Sequence, residues 1–197
     1  MGRAGFLMFE PIRHRGSLFG RTVDGLTQAP IPGVAVTIIE GPPAWLARRA
    51  ALQSARQTAR TDRHVTDGNG QFKYLDLPPG TYRLQTPHNG TRYAAATANV
   101  TVAAATTIVD LVLAPTTLVG VVQACNAASP LAMVRVRVVD SGEVSYTAQD
   151  GHYTLSPLEA GNRTIELSAQ RYVTATQVVT LQTGQTTTVP PITLTRS

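Results

Sequence analysis

Four histidines and one cysteine are the side chains in this sequence that most readily bind metals or act as nucleophiles. His14, His64, His88 and His152 lie far apart, and none belongs to an HxxE or HExxH motif, the spacing that places zinc ligands on one face of a helix. Cys125 has no nucleophile signature beside it, and the sequence contains no GxSxG motif. We therefore expect no enzymatic activity, no catalytic residue, no metal site and no cofactor.

The segment Asp67–Gln71 (DGNGQ) begins like a calcium-binding loop. An EF-hand requires glycine at its sixth position and a bidentate glutamate at its twelfth, and these positions hold Phe72 and Pro78. The segment is therefore interpreted as a β-turn, which positions strands and binds no ligand.

Two stretches, residues 64–84 and 148–167, have the same order of turns and short strands. In both, the same number of residues separates the strand aromatic, Phe72 or Tyr153, from the second turn glycine. Glycine adopts positive φ without a steric penalty, so these positions are typical of tight reversals. The chain is interpreted as a tandem repeat whose structural turn residues are Gly70, Gly80, Gly151 and Gly161.

Alternating apolar residues between these turns indicate β-strands. Val34, Val36 and Ile38 have a period of two, and the chain is rich in Thr and Val, which favour strands. We predict an all-β fold of two tandem β-sandwiches, residues 18–114 and 115–197. The short link between them predicts a semi-rigid rod.

One insert, residues 40–63, interrupts the β pattern of the first sandwich. It is rich in Ala, Arg, Leu and Gln, which favour helix, and Pro42 and Pro43 suit a first helical turn. We predict a helix over residues 43–59, with Trp45, Leu52 and the alanines between them on one apolar face. An isolated helix of this length is marginal in water and must pack on something.

The net positive charge lies at the start of the sequence: residues 1–63 carry the whole net charge of +5, and the basic and acidic residues after them balance. Residues 1–17 form an arm that mixes apolar and basic side chains, and we expect it to dock on a partner; the alternative is an edge strand of the first sandwich. The predicted partner-binding residues are Phe6, Leu7, Phe9, Trp45, Arg48, Arg49, Leu52 and Arg56. Nucleic acid is disfavoured, because no basic run is interleaved with stacking aromatics.

The first sixteen residues hold an apolar run of only four, Phe6–Phe9. That run is too short for the core of a signal peptide, and no stretch approaches the length of a transmembrane helix. We expect synthesis in the cytoplasm without a cleaved signal peptide and incorporation into a particle, with extracellular exposure left open. A single cysteine excludes an intrachain disulfide.

These motifs resemble the carboxypeptidase regulatory-like family, whose members are transthyretin-like, or prealbumin-like, sandwiches of seven strands. The resemblance implies the same seven-stranded fold for each half. It is carried by Gly20 and by residues 30–36 (PIPGVAV), 66–72 (TDGNGQF) and 77–82 (LPPGTY).

The resemblance covers residues 18–114 well and residues 116–197 more weakly. In the second half Arg163 stands where the family prefers tyrosine, and Met133 replaces the glycine found at Gly33. Such sandwiches are grafted onto metallocarboxypeptidases, outer-membrane transporters, surface adhesins, phage tails and phage-like contractile injection machines. The family therefore implies a fold and not one activity.

Two functions remain open at this point. One is a structural protein, a two-sandwich rod that docks onto a larger assembly such as a phage-tail-like or contractile injection particle. The other is a carbohydrate-binding or adhesion module of a secreted or cell-surface system.

Overall fold

The computed structural model describes residues 16–54, 62–87, 90–103, 106–125 and 129–197. Within these ranges it contains fifteen β-strands and one α-helix. Most of the predicted docking arm therefore lies outside the described residues. The same is true of four predicted partner-binding residues, Phe6, Leu7, Phe9 and Arg56.

The first half of the chain forms two facing sheets. Its elements are β1 (Leu18–Asp24), β2 (Ala35–Glu40), α1 (Pro43–Ser54), β3 (Arg63–Val65), β4 (Gln71–Tyr74), β5 (Gly80–Thr86), β6 (Ala96–Val102) and β7 (Thr107–Leu113). One sheet has the strand order β4-β1-β7 and the other β3-β2-β5-β6. All pairs are antiparallel except β1 with β7. We call this unit, with α1, the first sandwich.

The core of the first sandwich lies between its two sheets. Alternate residues point inward, so Leu18 and Leu113 from one sheet meet Val36, Tyr82 and Leu84 from the other, and all five are inaccessible to solvent. The period-two pattern in the sequence thus produces a single buried layer.

The second half repeats this arrangement as the second sandwich. Its strands are β8 (Thr117–Ala124), β9 (Arg135–Val138), β10 (Val144–Tyr146), β11 (His152–Leu155), β12 (Gly161–Ser168), β13 (Ala175–Leu181), β14 (Thr186–Thr188) and β15 (Ile192–Leu194). One sheet has the order β10-β9-β12-β13, and the other places β11 and β14 on either side of β8. A separate core fills the space between them.

The second sandwich has eight strands where seven were predicted. Both β14 and β15 run parallel to β8, as β7 runs parallel to β1. Pro190 and Pro191 stand between β14 and β15. Because proline has no N–H to donate, it interrupts the ladder and divides one strand into two.

The four turn glycines all have positive φ: 69° at Gly70, 147° at Gly80, 74° at Gly151 and 105° at Gly161. Gly70 and Gly151 also lie against backbone. A Cβ at Gly70 would lie 2.8 Å from the Thr22 carbonyl oxygen, and one at Gly151 would lie 2.5 Å from that of Val122. These glycines therefore hold the same reversal in each sandwich.

The link between the sandwiches is residues 114–116, and it is hydrogen-bonded to both sandwiches. The Thr116 N–H donates to the Arg92 carbonyl (2.7 Å), and the Thr116 hydroxyl donates to the Thr91 carbonyl (2.9 Å). The Gly184 N–H donates to that same hydroxyl (2.8 Å). The loop between β5 and β6 is thus bonded to the link and, through it, to the second sandwich.

Candidate partner-binding cleft

The insert that the sequence singled out forms one wall of a cleft of about 240 Å³. Helix α1 lies on one side, and β3, β4 and the residues after β4 lie on the other. We call this site the α1 cleft. The side chains that give it its character are Arg48, Arg49, Leu52, Arg63, Lys73 and Leu75.

Trp45 fixes the helix to the sandwich. Its side chain is only 5% exposed, and its ring meets the Tyr82 ring edge-on, with centroids 6.1 Å apart and an interplanar angle of 85°. A Cβ at Gly41 would lie 2.7 Å from the Trp45 ring, so glycine permits this close approach. The prediction that Trp45 contacts a partner is therefore corrected: the apolar face of α1 covers its own core.

Two arginines on α1 are held at the rim of the cleft. The Arg49 guanidinium lies 5.3 Å from the Trp45 ring centroid, and its Nη2 is 3.1 Å from the Asp62 carboxylate. Arg48 donates from Nη1 to the backbone carbonyl of Asp76 at 2.9 Å. These contacts pre-orient the two guanidinium groups, which lowers the entropy that a bound ligand would have to remove.

The opposite wall adds two more cations. Arg63 on β3 and Lys73 on β4 are both exposed and both line the cleft. Beneath them, the buried Tyr74 hydroxyl donates to the Val36 carbonyl (2.7 Å), and burial raises the pKa of Tyr74. The base of this wall is therefore a neutral, rigid part of the core.

The chemistry of the α1 cleft is that of anion recognition. Four cationic side chains surround a small apolar surface, and the carboxylates of Asp62 and Asp76 only partly balance them. Arginine binds carboxylates through paired N–H donors, and lysine acts as a point charge. Among the described residues, no group of three or more His, Cys, Asp or Glu side chains could hold a metal ion.

The structure brings together only part of the predicted site. Arg48, Arg49 and Leu52 line the cleft, with Leu52 half-buried, and the buried Trp45 also borders it. Sequence reasoning missed Arg63, at the end of the predicted insert, and Lys73 and Leu75, on and just after β4. Their proximity to α1 depends on how the strands are arranged, which the sequence pattern does not show. Lys73 is the only lysine in the sequence, and that singularity was the one available signal.

Residues 117–195 match the model of the carboxypeptidase regulatory-like domain. We expected the stronger resemblance in residues 18–114, and this match falls on the other half instead. The second half has only a short turn where α1 interrupts the first. No curated protein matches the chain.

The solved structures that match this chain include a Bacillus anthracis protein and two pilins. The Bacillus anthracis TIE protein has 14% identity and a TM-score of 0.45, and the alignment covers 93% of this chain and 34% of that one. The shaft pilin SpaA from Lactobacillus rhamnosus GG has 12% identity and a TM-score of 0.42, with 93% and 98% covered. A Streptococcal ancillary pilin has 16% identity and a TM-score of 0.38, with 92% and 62% covered.

This chain therefore spans about a third of the TIE chain. The helix in the described part of this chain is too short and too polar to cross a membrane.

Proposed function

We propose, from the premise that residues 117–195 form a carboxypeptidase regulatory-like domain, that this chain is a non-enzymatic structural protein. It acts as a spacer of two β-sandwiches that docks onto a larger assembly through the α1 cleft. The observation that carries the proposal is the convergence of Arg48, Arg49, Arg63 and Lys73 on one cleft. Three of the four belong to residues 1–63, which carry the net charge of the chain.

The partner presents an acidic segment with at least one apolar side chain. Its carboxylates would pair with the rim arginines and with Lys73, and its apolar group would contact Leu52 and Leu75. Partly exposed ion pairs contribute little individually, so most of the affinity would come from several of them acting together with apolar burial. Binding should therefore weaken as the salt concentration rises.

The contacts at the link support the role of a spacer. Thr116 is bonded to the first sandwich through Thr91 and Arg92, and its carbonyl accepts from the N–H of Leu158 in the second (2.9 Å). A cleft at one end and a bonded link behind it together hold the second sandwich at a defined distance from the assembly.

The finer setting belongs to the same proposal and rests on the family resemblance. In a phage-tail-like or contractile injection particle, the chain would be made in the cytoplasm and built into the particle, in multiple copies. A cell-surface assembly would expose the second sandwich outside the cell. The identity of the acidic partner distinguishes the two settings.

Lys73 provides a selective test. A carbodiimide joins a lysine amine to a nearby carboxylate without a spacer, and the side chain of Lys73 is the only lysine amine in the sequence. Applied to cells that produce the protein, the reagent should link Lys73 to an Asp or Glu of a structural partner, as read by mass spectrometry. Lys73→Arg should lose the link while the partner still co-purifies.

Charge reversal decides whether the cleft itself binds. Arg48→Glu combined with Lys73→Glu should abolish co-purification of the partner. The matched control is Arg135→Glu with Arg137→Glu, which reverses two arginines on the second sandwich and should leave the partner bound. If the cleft variant retains the partner as well as the control does, the proposal fails.

The carbohydrate-binding alternative would require exposed aromatic rings on which a sugar could stack. Trp45 is buried and presents no ring face to a sugar, and Tyr93 is buried with its hydroxyl donating to Asp24 (2.9 Å). No contact in the described residues favours that alternative, so we do not propose it.

A further inference from the structure

The end of the second sandwich repeats the backbone of the link. At the link, the Thr116 N–H donates to the Arg92 carbonyl (2.7 Å) and the Ala94 N–H to that of Ala114 (2.9 Å). At the far end the same pattern recurs: the N–H groups of Ser197 and Val173 donate to the carbonyls of Arg171 (3.1 Å) and Thr195 (2.9 Å). Arg171 therefore occupies in the second sandwich the position of Arg92 in the first.

Arg92 is the side chain that joins the first sandwich to the second. Its Nη2 lies 3.0 Å from the Glu143 carboxylate, and its Nε lies 3.8 Å from that of Glu159. Its Nη1 also donates to the Pro157 carbonyl at 3.2 Å. An arginine at this position thus binds the carboxylates that two loops of the next sandwich present.

Arg171 has the same placement but no such partner. Its side chain is exposed, and it makes no ion pair or side-chain hydrogen bond with any residue that the structure describes. Arg171 has a positive φ of 67°, whereas the φ of Arg92 is not positive. Beside it, Val173 stands in place of Ala94 and is 52% exposed. This end of the second sandwich therefore presents a cationic group next to an exposed apolar side chain.

A second copy of this chain is a poor occupant for that end. The free end of the first sandwich carries the α1 cleft, where Arg48, Arg49, Arg63 and Lys73 lie. Head-to-tail stacking would bring the α1 cleft of one copy to Arg171 and Arg196 of the next. This places like charges together and therefore opposes the stacking of identical chains. The occupant must instead bring carboxylates.

We propose that the end of the second sandwich formed by Arg171, Tyr172, Val173 and Arg196 is a docking surface for a further β-sandwich. That sandwich carries acidic loops equivalent to those of Glu143 and Glu159 and a recess for Val173. The inference stands apart from the α1 cleft, since the two surfaces lie at opposite ends and share no residue.

The test extends the full chain with its own second sandwich. Ser197 occupies the position of Thr116, so a copy of residues 117–197 appended after Ser197 continues the repeat. At the link, Gly184 of the second sandwich lies directly against Ala94. In the extended chain the Gly184 of the appended copy would meet Val173 instead, so the chain also carries Val173→Ala to restore the smaller side chain. The appended copy then brings its own Glu143 and Glu159 to Arg171.

A double-mutant cycle measures the contact. Arg171→Ala is combined with Glu143→Ala in the appended copy, and unfolding in urea is followed for each variant. We expect the pair to change the unfolding constant roughly two- to five-fold beyond the product of the single changes, the range of part-exposed ion pairs. Residual dipolar couplings should also give one common orientation for the last two sandwiches.

The reference is the same cycle with Arg92→Ala and Glu143→Ala in the original chain. Coupling at both arginines supports the proposal. Coupling at Arg92 alone overturns it, because Arg171 would then lack the ability that its position implies. An absence of coupling at both arginines also overturns the proposal, because the Arg92–Glu143 contact on which it is based would then contribute no stability.

Discussion

The two sandwiches share a scaffold and differ in what is attached to it. In both, the hydroxyl of a buried threonine accepts from one backbone N–H and donates to one carbonyl. Thr66 accepts from Val34 and donates to Ile31, and Thr147 accepts from Val134 and donates to Leu131. In both, a glycine in the first strand leaves room for an aromatic ring, Gly20 for Phe72 and Gly120 for Tyr153.

The differences lie at the ends of the strands. The first sandwich has α1 and a buried Asp24, whereas the second has a short turn and Ala124 at the corresponding positions. Residues repeated in both halves therefore maintain the fold, and residues present in only one half are the places to look for function or for local stability. Single substitutions can test that division.

The largest effect is expected at Trp45. Trp45→Ala should destabilise the first sandwich by about 3 kcal/mol, because it leaves a cavity against Tyr82. The matched control on the same helix is Leu46→Ala, whose side chain is 48% exposed and should cost well under 1 kcal/mol. Urea unfolding of both variants measures this, and equal costs would mean that α1 does not belong to the core.

Asp24 should give the next largest effect. Its carboxylate accepts from the N–H groups of Leu26 and Thr27, both at 2.8 Å, and from the Tyr93 hydroxyl. Asp24→Ala leaves these donors unpaired and should cost about 2 kcal/mol. Asp110→Ala, which removes an exposed carboxylate paired with Arg21, is the control and should cost less than half as much.

Asp24 also predicts a dependence on pH. Burial alone would raise the pKa of Asp24, but the two N–H donors and the Tyr93 hydroxyl outweigh burial and lower that pKa. Its stabilisation is therefore complete above the unfolded value of about 3.9 and is lost as the pH falls through the lower folded pKa. Below about pH 4 the gap in stability between wild type and Asp24→Ala should narrow. A stability difference that stays constant with pH would show that the ionised Asp24 carboxylate is not the source of the stabilisation.

A smaller effect, of opposite sign in the two halves, is expected at the paired aromatics. The Tyr153 hydroxyl is buried without a hydrogen-bond partner in the described structure, and burial raises its pKa to about 12. Tyr153→Phe should stabilise the second sandwich by about 1 kcal/mol, and Phe72→Tyr should destabilise the first by a similar amount. Calorimetry of both variants checks the signs, and a loss of stability in Tyr153→Phe would point to a bound water on that hydroxyl.

The smallest effect concerns Met133, which has φ of 58° where its counterpart Gly33 has 73°. Met133 is 73% exposed, so Met133→Gly loses little buried surface and relieves a left-handed backbone. We expect a gain of about 0.5 kcal/mol and a larger loss for Gly33→Met. A destabilised Met133→Gly would show that this side chain makes contacts that outweigh its strain.

The sequence allowed much of the scaffold to be predicted. Alternation at Val34, Val36 and Ile38 indicated the strands, and the repeated spacing located the turn at Gly70 and its copy at Gly151. These features are local, so a short window contains them. The division of β14 from β15 was visible in Pro190 and Pro191, but their meaning depends on which strand they interrupt.

The site was less predictable, because it depends on contacts between distant segments. The pattern of α1 showed an apolar face but not what covers it, and Trp45 was assigned to a partner although it packs against Tyr82. Lys73 and Arg63 join the cleft only through the pairing of strands. Arg92 was missed as the joining residue, although the recurrence of Arg-Tyr at positions 171–172 was a signal that the sequence held.

The proline pair between β14 and β15 also bears on how neighbouring chains pack side by side. A sheet edge with a continuous row of free backbone groups is a template on which another chain can add a strand. Among the strands that the structure describes, β7 offers such an edge over seven residues, with Ile108 79% exposed. The corresponding edge of the second sandwich is broken by two residues that have no N–H. At high concentration we therefore expect lateral aggregation to begin at the first sandwich, while the second stays separate from its neighbours.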